Sequence, residues 1–129
     1  MKEIMATIKP FLTVNDGIKA VEFYTAAFGA IETKRFELQN QKISSVIEVE
    51  NAVFYLSDEE PCDGSLKTHL SNSPIRIILE TKNADELFEK AIKFGASEIC
   101  PMTTEEDWRI GKLQDPFGHI WEIGYNLGE

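Results

Sequence analysis

The sequence has no long apolar run: none approaches the roughly 20 consecutive residues that a membrane-spanning helix requires. A membrane partner is therefore not expected. Basic residues are in deficit, 13 against 22 acidic ones, which gives a formal net charge of −9 with no visible basic patch. Such a chain repels a phosphate backbone, so nucleic acid is not expected as a partner either. Cysteine is sparse. Cys62 and Cys100 stand far apart, without the close spacing of a zinc site or a redox motif, and read as two reduced thiols in a cytoplasm. Glu3 and Lys9 interrupt the apolar stretch that an export signal would need, which fits the same soluble, cytoplasmic reading. Nucleophile-elbow, phosphate-loop and dinucleotide-binding glycine patterns are all missing, which leaves acyl transfer, nucleotide hydrolysis and hydride transfer without a motif.

What the sequence does contain is enough apolar material for a core. Its 129 residues are 43% hydrophobic and 27% charged, and a domain of that size buries about two thirds of the surface its unfolded chain exposes. Residues 8–14, IKPFLTV, alternate and read as a strand. Asn15-Asp16 then offers a helix cap before 17–28, where Ile18, Val21, Phe23, Ala26 and Phe28 supply the expected apolar face and Gly29 the left-handed terminus. Strands are expected near 30–38, 43–49 and 52–57, and the polar segment 58–73, broken by Pro61 and Gly64, reads as a connector.

The pattern then restarts. A strand at 75–81 leads to a cap region at Asn83-Ala84-Asp85 and a helix over 85–94 closed by Gly95. Strands follow near 97–102, 108–114 and 119–125, with Asp115-Pro116-Phe117-Gly118 as the turn before the last. Phe28-Gly29-Ala30 reappears as Phe94-Gly95-Ala96. Each half thus reads strand-helix-strand-strand-strand, an internal duplication in which two units each contribute a curved sheet to one cleft. The expected fold is α+β, two βαβββ modules forming curved mixed sheets around a shared cleft, with modules 1–60 and 72–129 in a single domain over 1–129.

Two segments, PFLTVNDGIKAVEFYTAAFGA at 10–30 and LQDPFGHIWEIGYN at 113–126, resemble the vicinal oxygen chelate superfamily, in particular its bleomycin-resistance and glyoxalase-like branch. The resemblance covers nearly the whole chain. It implies paired βαβββ modules, a homodimer, a small-molecule ligand and, where there is chemistry, a divalent metal held by one residue from the first and last strand of each module. An internal offset of 67 superposes Leu12 on Leu79, Lys9 on Arg76, and Tyr55 on Glu122, which puts those last four residues at the ligand positions. The Phe-Gly-Ala repeat itself fits an offset of 66, so one module carries a one-residue length difference. Strand alternation supports the placement: Lys9, Phe11 and Thr13 share one face, as do Val53, Tyr55 and Ser57, Arg76, Ile78 and Glu80, and Ile120, Glu122 and Gly124.

Of the four positions only Glu122 offers a good metal donor, because Lys and Arg are cations without a lone pair and tyrosine is an uncommon ligand. At about 4 Å and an effective dielectric near 20, each unit-charge repulsion costs on the order of 4 kcal/mol, so a doubly charged ion beside Lys9 and Arg76 is disfavoured. No metal and no cofactor are expected. Glu122 is instead expected to pair with Arg76 or Lys9, in a group shared with Tyr55. His119 belongs to the turn motif and is assigned to fixing the hairpin, Trp121 to the core, and the acidic runs Asp58-Glu59-Glu60 and Glu105-Glu106-Asp107 to solvated charge.

Lys9, Phe11, Tyr55, Arg76, Trp108 and Glu122 are the expected lining of the ligand cleft, with Tyr55 and Trp108 placed to stack on a flat molecule. Two readings follow. One is a non-catalytic binder of the bleomycin-resistance type that sequesters an aromatic or cationic compound. The other is a metal-dependent lyase, isomerase or dioxygenase resembling glyoxalases, with zinc, nickel, manganese or iron held around Glu122.

Overall fold

A computed structural model describes residues 7–59 and 75–128. The first half contains β1 (Phe11–Val14), α1 (Gly17–Phe28), β2 (Ile31–Glu37), β3 (Ile43–Val49) and β4 (Ala52–Asp58). The second contains β5 (Arg76–Glu80), α2 (Ala84–Lys93), β6 (Ser97–Glu105), β7 (Trp108–Gln114) and β8 (Ile120–Asn126). Each half closes into a four-stranded mixed sheet, in the orders β1-β4-β3-β2 and β5-β8-β7-β6. This is the expected α+β class with two βαβββ modules. Most of the connector expected over 58–73, with Cys62 and His69, lies outside the described residues.

The strand registers test the internal alignment directly. In the first sheet Phe11 pairs with Tyr55 across the parallel β1/β4 ladder, and in the second Ile78 pairs with Glu122 across β5/β8. Both partners shift by the same 67 residues. The shorter offset is also accounted for. Helices α1 and α2 start at matching positions but run 12 and 10 residues. Val46 then pairs with Tyr55 where Lys112 pairs with Glu122. The second module is one residue shorter by the end of its helix and regains that residue in the turn around Asp115.

Alternation divides the strands as their sequences require. Leu12, Val14, Phe54, Leu56, Leu79, Trp121 and Ile123 are buried, and they join the helix residues Phe23, Tyr24, Phe28 and Phe88 in one hydrophobic cluster that draws on both modules. Trp121 lies 5.0 Å from Phe28 and 5.5 Å from Phe54, centroid to centroid, so an aromatic of β8 packs on α1 and β4. A buried aromatic of this kind contributes roughly 2–3 kcal/mol through area removed from water.

Three expectations are corrected. The inward face of α1 is Ala20, Val21, Phe23, Tyr24, Ala27 and Phe28, whereas Ile18 and Ala26 face outward. The face is rotated because Tyr24, polar enough to be passed over, is buried completely with its hydroxyl bonded to Asp115. Asp58 is not solvated charge: it is 7% exposed and accepts from the backbone N–H of Gly17 and of Ile43, each at 2.8 Å. The carboxylate thereby ties the first turn of α1 to β3. Asn83 makes no side-chain cap on α2, although Asp16 caps α1 by accepting from Lys19 N–H.

Candidate functional site

The outward face of each sheet holds the residues singled out from the sequence. On the first, the Lys9 Nζ sits 5.8 Å from the Tyr55 ring centroid and Phe11 packs beside that ring at 5.9 Å. On the second, Arg76 Nε lies 3.3 Å from Glu122 Oε1, with the Glu122 side chain only 17% exposed and that of Arg76 54% exposed. The cation that pairs with Glu122 is thus the guanidinium, a group that stays charged at any ordinary pH. Lys9 instead engages an aromatic face.

These residues fall into two groups. Trp108 and Glu122 line a cavity of about 300 Å³ on the second sheet, together with Ile78, Glu80, Ile110 and Gly124, all residues of the second module. Lys9, Phe11 and Tyr55 gather on the first sheet. Between the modules lies a separate cavity of about 380 Å³, and of the six expected cleft residues Lys9 lines it, in the company of Pro10, Phe54, Leu79 and Trp121.

The candidate donors suit a divalent metal poorly. Glu122 already accepts a guanidinium, and its three counterparts are a lysine, an arginine and a phenol beneath an ammonium. Arg76 paired with Glu122 on one sheet and Lys9 over Tyr55 on the other do not fit such an ion. Among the described residues no three His, Cys, Asp or Glu side chains gather as a metal site would need. Cys100 is a free, exposed thiol.

The turn motif turns out to join the modules. Asp115, 3% exposed, accepts from its own turn through Phe117 N–H at 2.9 Å and His119 N–H at 3.0 Å. Its second oxygen accepts from the Trp121 indole at 2.8 Å and from the Tyr24 hydroxyl of the first module. Burial, and after it the neighbouring Asp115 carboxylate, push the Tyr24 hydroxyl well above its ordinary value. The hairpin is therefore fixed by Asp115, while the His119 ring reaches across to the Thr13 carbonyl, with Nε2 at 2.9 Å. A matching contact on the other side runs from the Thr81 hydroxyl to Glu50 at 2.7 Å.

Two four-stranded sheets of βαβββ order, each presenting an open face above a common core, define a vicinal oxygen chelate protein. The chain belongs to the Glyoxalase/Bleomycin resistance protein/Dioxygenase superfamily, whose family model matches residues 5–123. An uncharacterized protein of Mycobacterium tuberculosis, Rv0887c, is 31% identical over 129 residues, covering 95% of this chain and 75% of that one. The solved structure of the Arabidopsis thaliana At5g48480 gene product is similar with a TM-score of 0.71 at 28% identity, over 93% of this chain and 98% of that one. The fosfomycin resistance protein FosX from Listeria monocytogenes, solved with Mn(II) and a dihydroxypropylphosphonic acid, shares the fold with a TM-score of 0.70 at 14% identity, over 95% and 94% of the two chains. Among the described residues no helix is long and apolar enough to cross a membrane.

Proposed function

We propose that the protein is a small-molecule binder of the bleomycin-resistance type that sequesters a compound in a cleft formed by its open sheet faces, without the metal site usual in its superfamily. The observation that carries this reading is the Arg76–Glu122 ion pair, which engages the one good donor among the four expected positions. The cavity beside that pair has apolar and aromatic walls and a few polar groups, the composition of small-molecule sites in general. Antibiotics are one class of compound that such sequestration disarms.

The protein works, in this reading, as a cytoplasmic homodimer. Phe11 is 59% exposed and Ile78 60% exposed on the open faces, and apolar surface of that kind favours a second copy that closes over it.

Two measurements test the proposal. Thermal shift against a library of metabolites and antibiotics is expected to find compounds that raise the melting temperature, since a ligand of the native state stabilises by mass action. Metal analysis of protein purified without chelator is expected to find no stoichiometric ion. Zinc, nickel, manganese or iron at one per chain overturns the metal-free reading in favour of a lyase, isomerase or dioxygenase using Glu122.

A further inference from the structure

The cavity on the second sheet has a polarity that its lining residues explain. Its floor is Gly124, which pairs across the ladders with Glu80 on β5 and with Ile110 on β7. A Cβ at Gly124 would stand 2.2 Å from the Arg109 carbonyl oxygen, so β7 and β8 approach too closely there for any side chain. The hollow is thus built into the backbone. Ile78 and Ile110 form apolar sides, and Trp108 supplies an aromatic wall that remains 38% exposed.

The two carboxylates of the cavity differ. Glu122 is neutralised by Arg76, and Lys112 is its cross-strand neighbour on the other side. Glu80 lies two residues further along β5, beside Gly124, and among the described residues its carboxylate has no partner. Trp108, at the same end of the sheet, has Glu105 as its own cross-strand neighbour. One end of the open face therefore carries Arg76 and Lys112 around Glu122. The other carries Glu80 and Glu105 around an indole.

We infer that this cavity binds organic cations, an ammonium group on an aromatic or aliphatic body, with the ammonium held between the Glu80 carboxylate and the Trp108 ring and the body on Ile78, Ile110 and Gly124. The inference rests on the proposed role as a small-molecule binder and names the ligand class. An ammonium satisfies a carboxylate through charge-assisted N–H donation and an indole face through its quadrupole, a combination that neither an alcohol nor an anion of the same shape offers. The net charge of −9 adds long-range attraction of the same sign.

The test uses three probes of one shape, phenethylamine, 2-phenylethanol and phenylacetate, titrated into the full-length protein. The readout is the indole N–H signals in two-dimensional NMR. The chain has two tryptophans, of which Trp108 lines this cavity while the Trp121 indole is committed to Asp115, so the site reports on itself. Phenethylamine is expected to move the Trp108 signal with a Kd at least about tenfold lower than 2-phenylethanol, and phenylacetate to bind more weakly still. In Glu80→Gln the amine's advantage over the alcohol is expected to shrink by at least about threefold, to what the Trp108 ring and the overall charge supply, with the melting temperature unchanged because Glu80 is exposed. Equal binding of amine and alcohol to the wild type, or an amine preference undiminished in Glu80→Gln, overturns the inference and leaves the small-molecule reading standing. A Trp108 signal that none of the three probes moves also overturns the inference, whereas a library screen that finds no stabilising compound overturns the small-molecule reading beneath it.

Discussion

Asp115 accepts four hydrogen bonds at the junction of the modules, two from its own turn and two from Trp121 and Tyr24. Removing one donor from a buried carboxylate leaves it partly unsatisfied, so Tyr24→Phe is expected to lower the unfolding free energy by about 1–3 kcal/mol in a urea melt. The same hydroxyl gives stability a pH dependence. Its value is raised in the folded chain, whereas an unfolded tyrosine ionises near pH 10. Above about pH 10 the unfolded state releases a proton that the folded state retains, so stability is full below that pH and falls as the pH climbs through the folded value. Urea melts at about pH 8 and pH 11 are expected to show this loss in the wild type and a smaller one in Tyr24→Phe. At the open face the expectation is the opposite: Arg76 is half exposed, and Arg76→Met should change stability by no more than about 1 kcal/mol. The pairing of Arg76 with Glu122 was legible in the sequence because strand parity and an internal offset placed both residues. The Asp115–Tyr24 bond was not, since nothing local joins two residues 91 positions apart.

Among the elements, strand faces were the most legible feature and the helix face of α1 the least. A strand exposes its two faces by strict alternation, so Tyr55 and Glu122 could be assigned outward and Phe54 and Trp121 inward without knowledge of any partner. A helix stripe is read from hydrophobicity, and a buried tyrosine with a distant acceptor counts against it. The start of α1 gives an element-scale prediction. A Cβ on Gly17 would stand 2.6 Å from Asp58 Oδ2 and 2.8 Å from Ile43 Cγ1. Asp58 cannot withdraw without releasing the N–H groups of Gly17 and Ile43. Gly17→Ala is therefore expected to destabilise the fold by about 1–3 kcal/mol, measured by urea or thermal unfolding, despite the better helix propensity of alanine.

For the whole molecule, the proposed homodimer predicts a mass in light scattering of twice the 14.6 kDa chain at micromolar concentration. A monomer alone would remove that part of the proposal, and Phe11→Glu is expected to weaken the association if the open faces are what a second copy covers. The duplication itself was legible as a repeated element order. The division of the expected cleft residues between two sheet faces was not, because module packing depends on the Trp121, Tyr24 and Phe54 contacts that only the folded chain brings together. The alternation of the strands has one more consequence. In β4 and β8, Phe54, Leu56, Trp121 and Ile123 are nearly inaccessible while Tyr55 and Glu122 between them face out. Apart from Gly124, where the backbone admits no side chain, every second codon in these strands is thus tied to folding and its neighbour is released from it. Such a scaffold is evolvable by construction: its ligand preference can drift one residue at a time across neutral ground, and descendants that recognise unrelated compounds can still keep one shared interior.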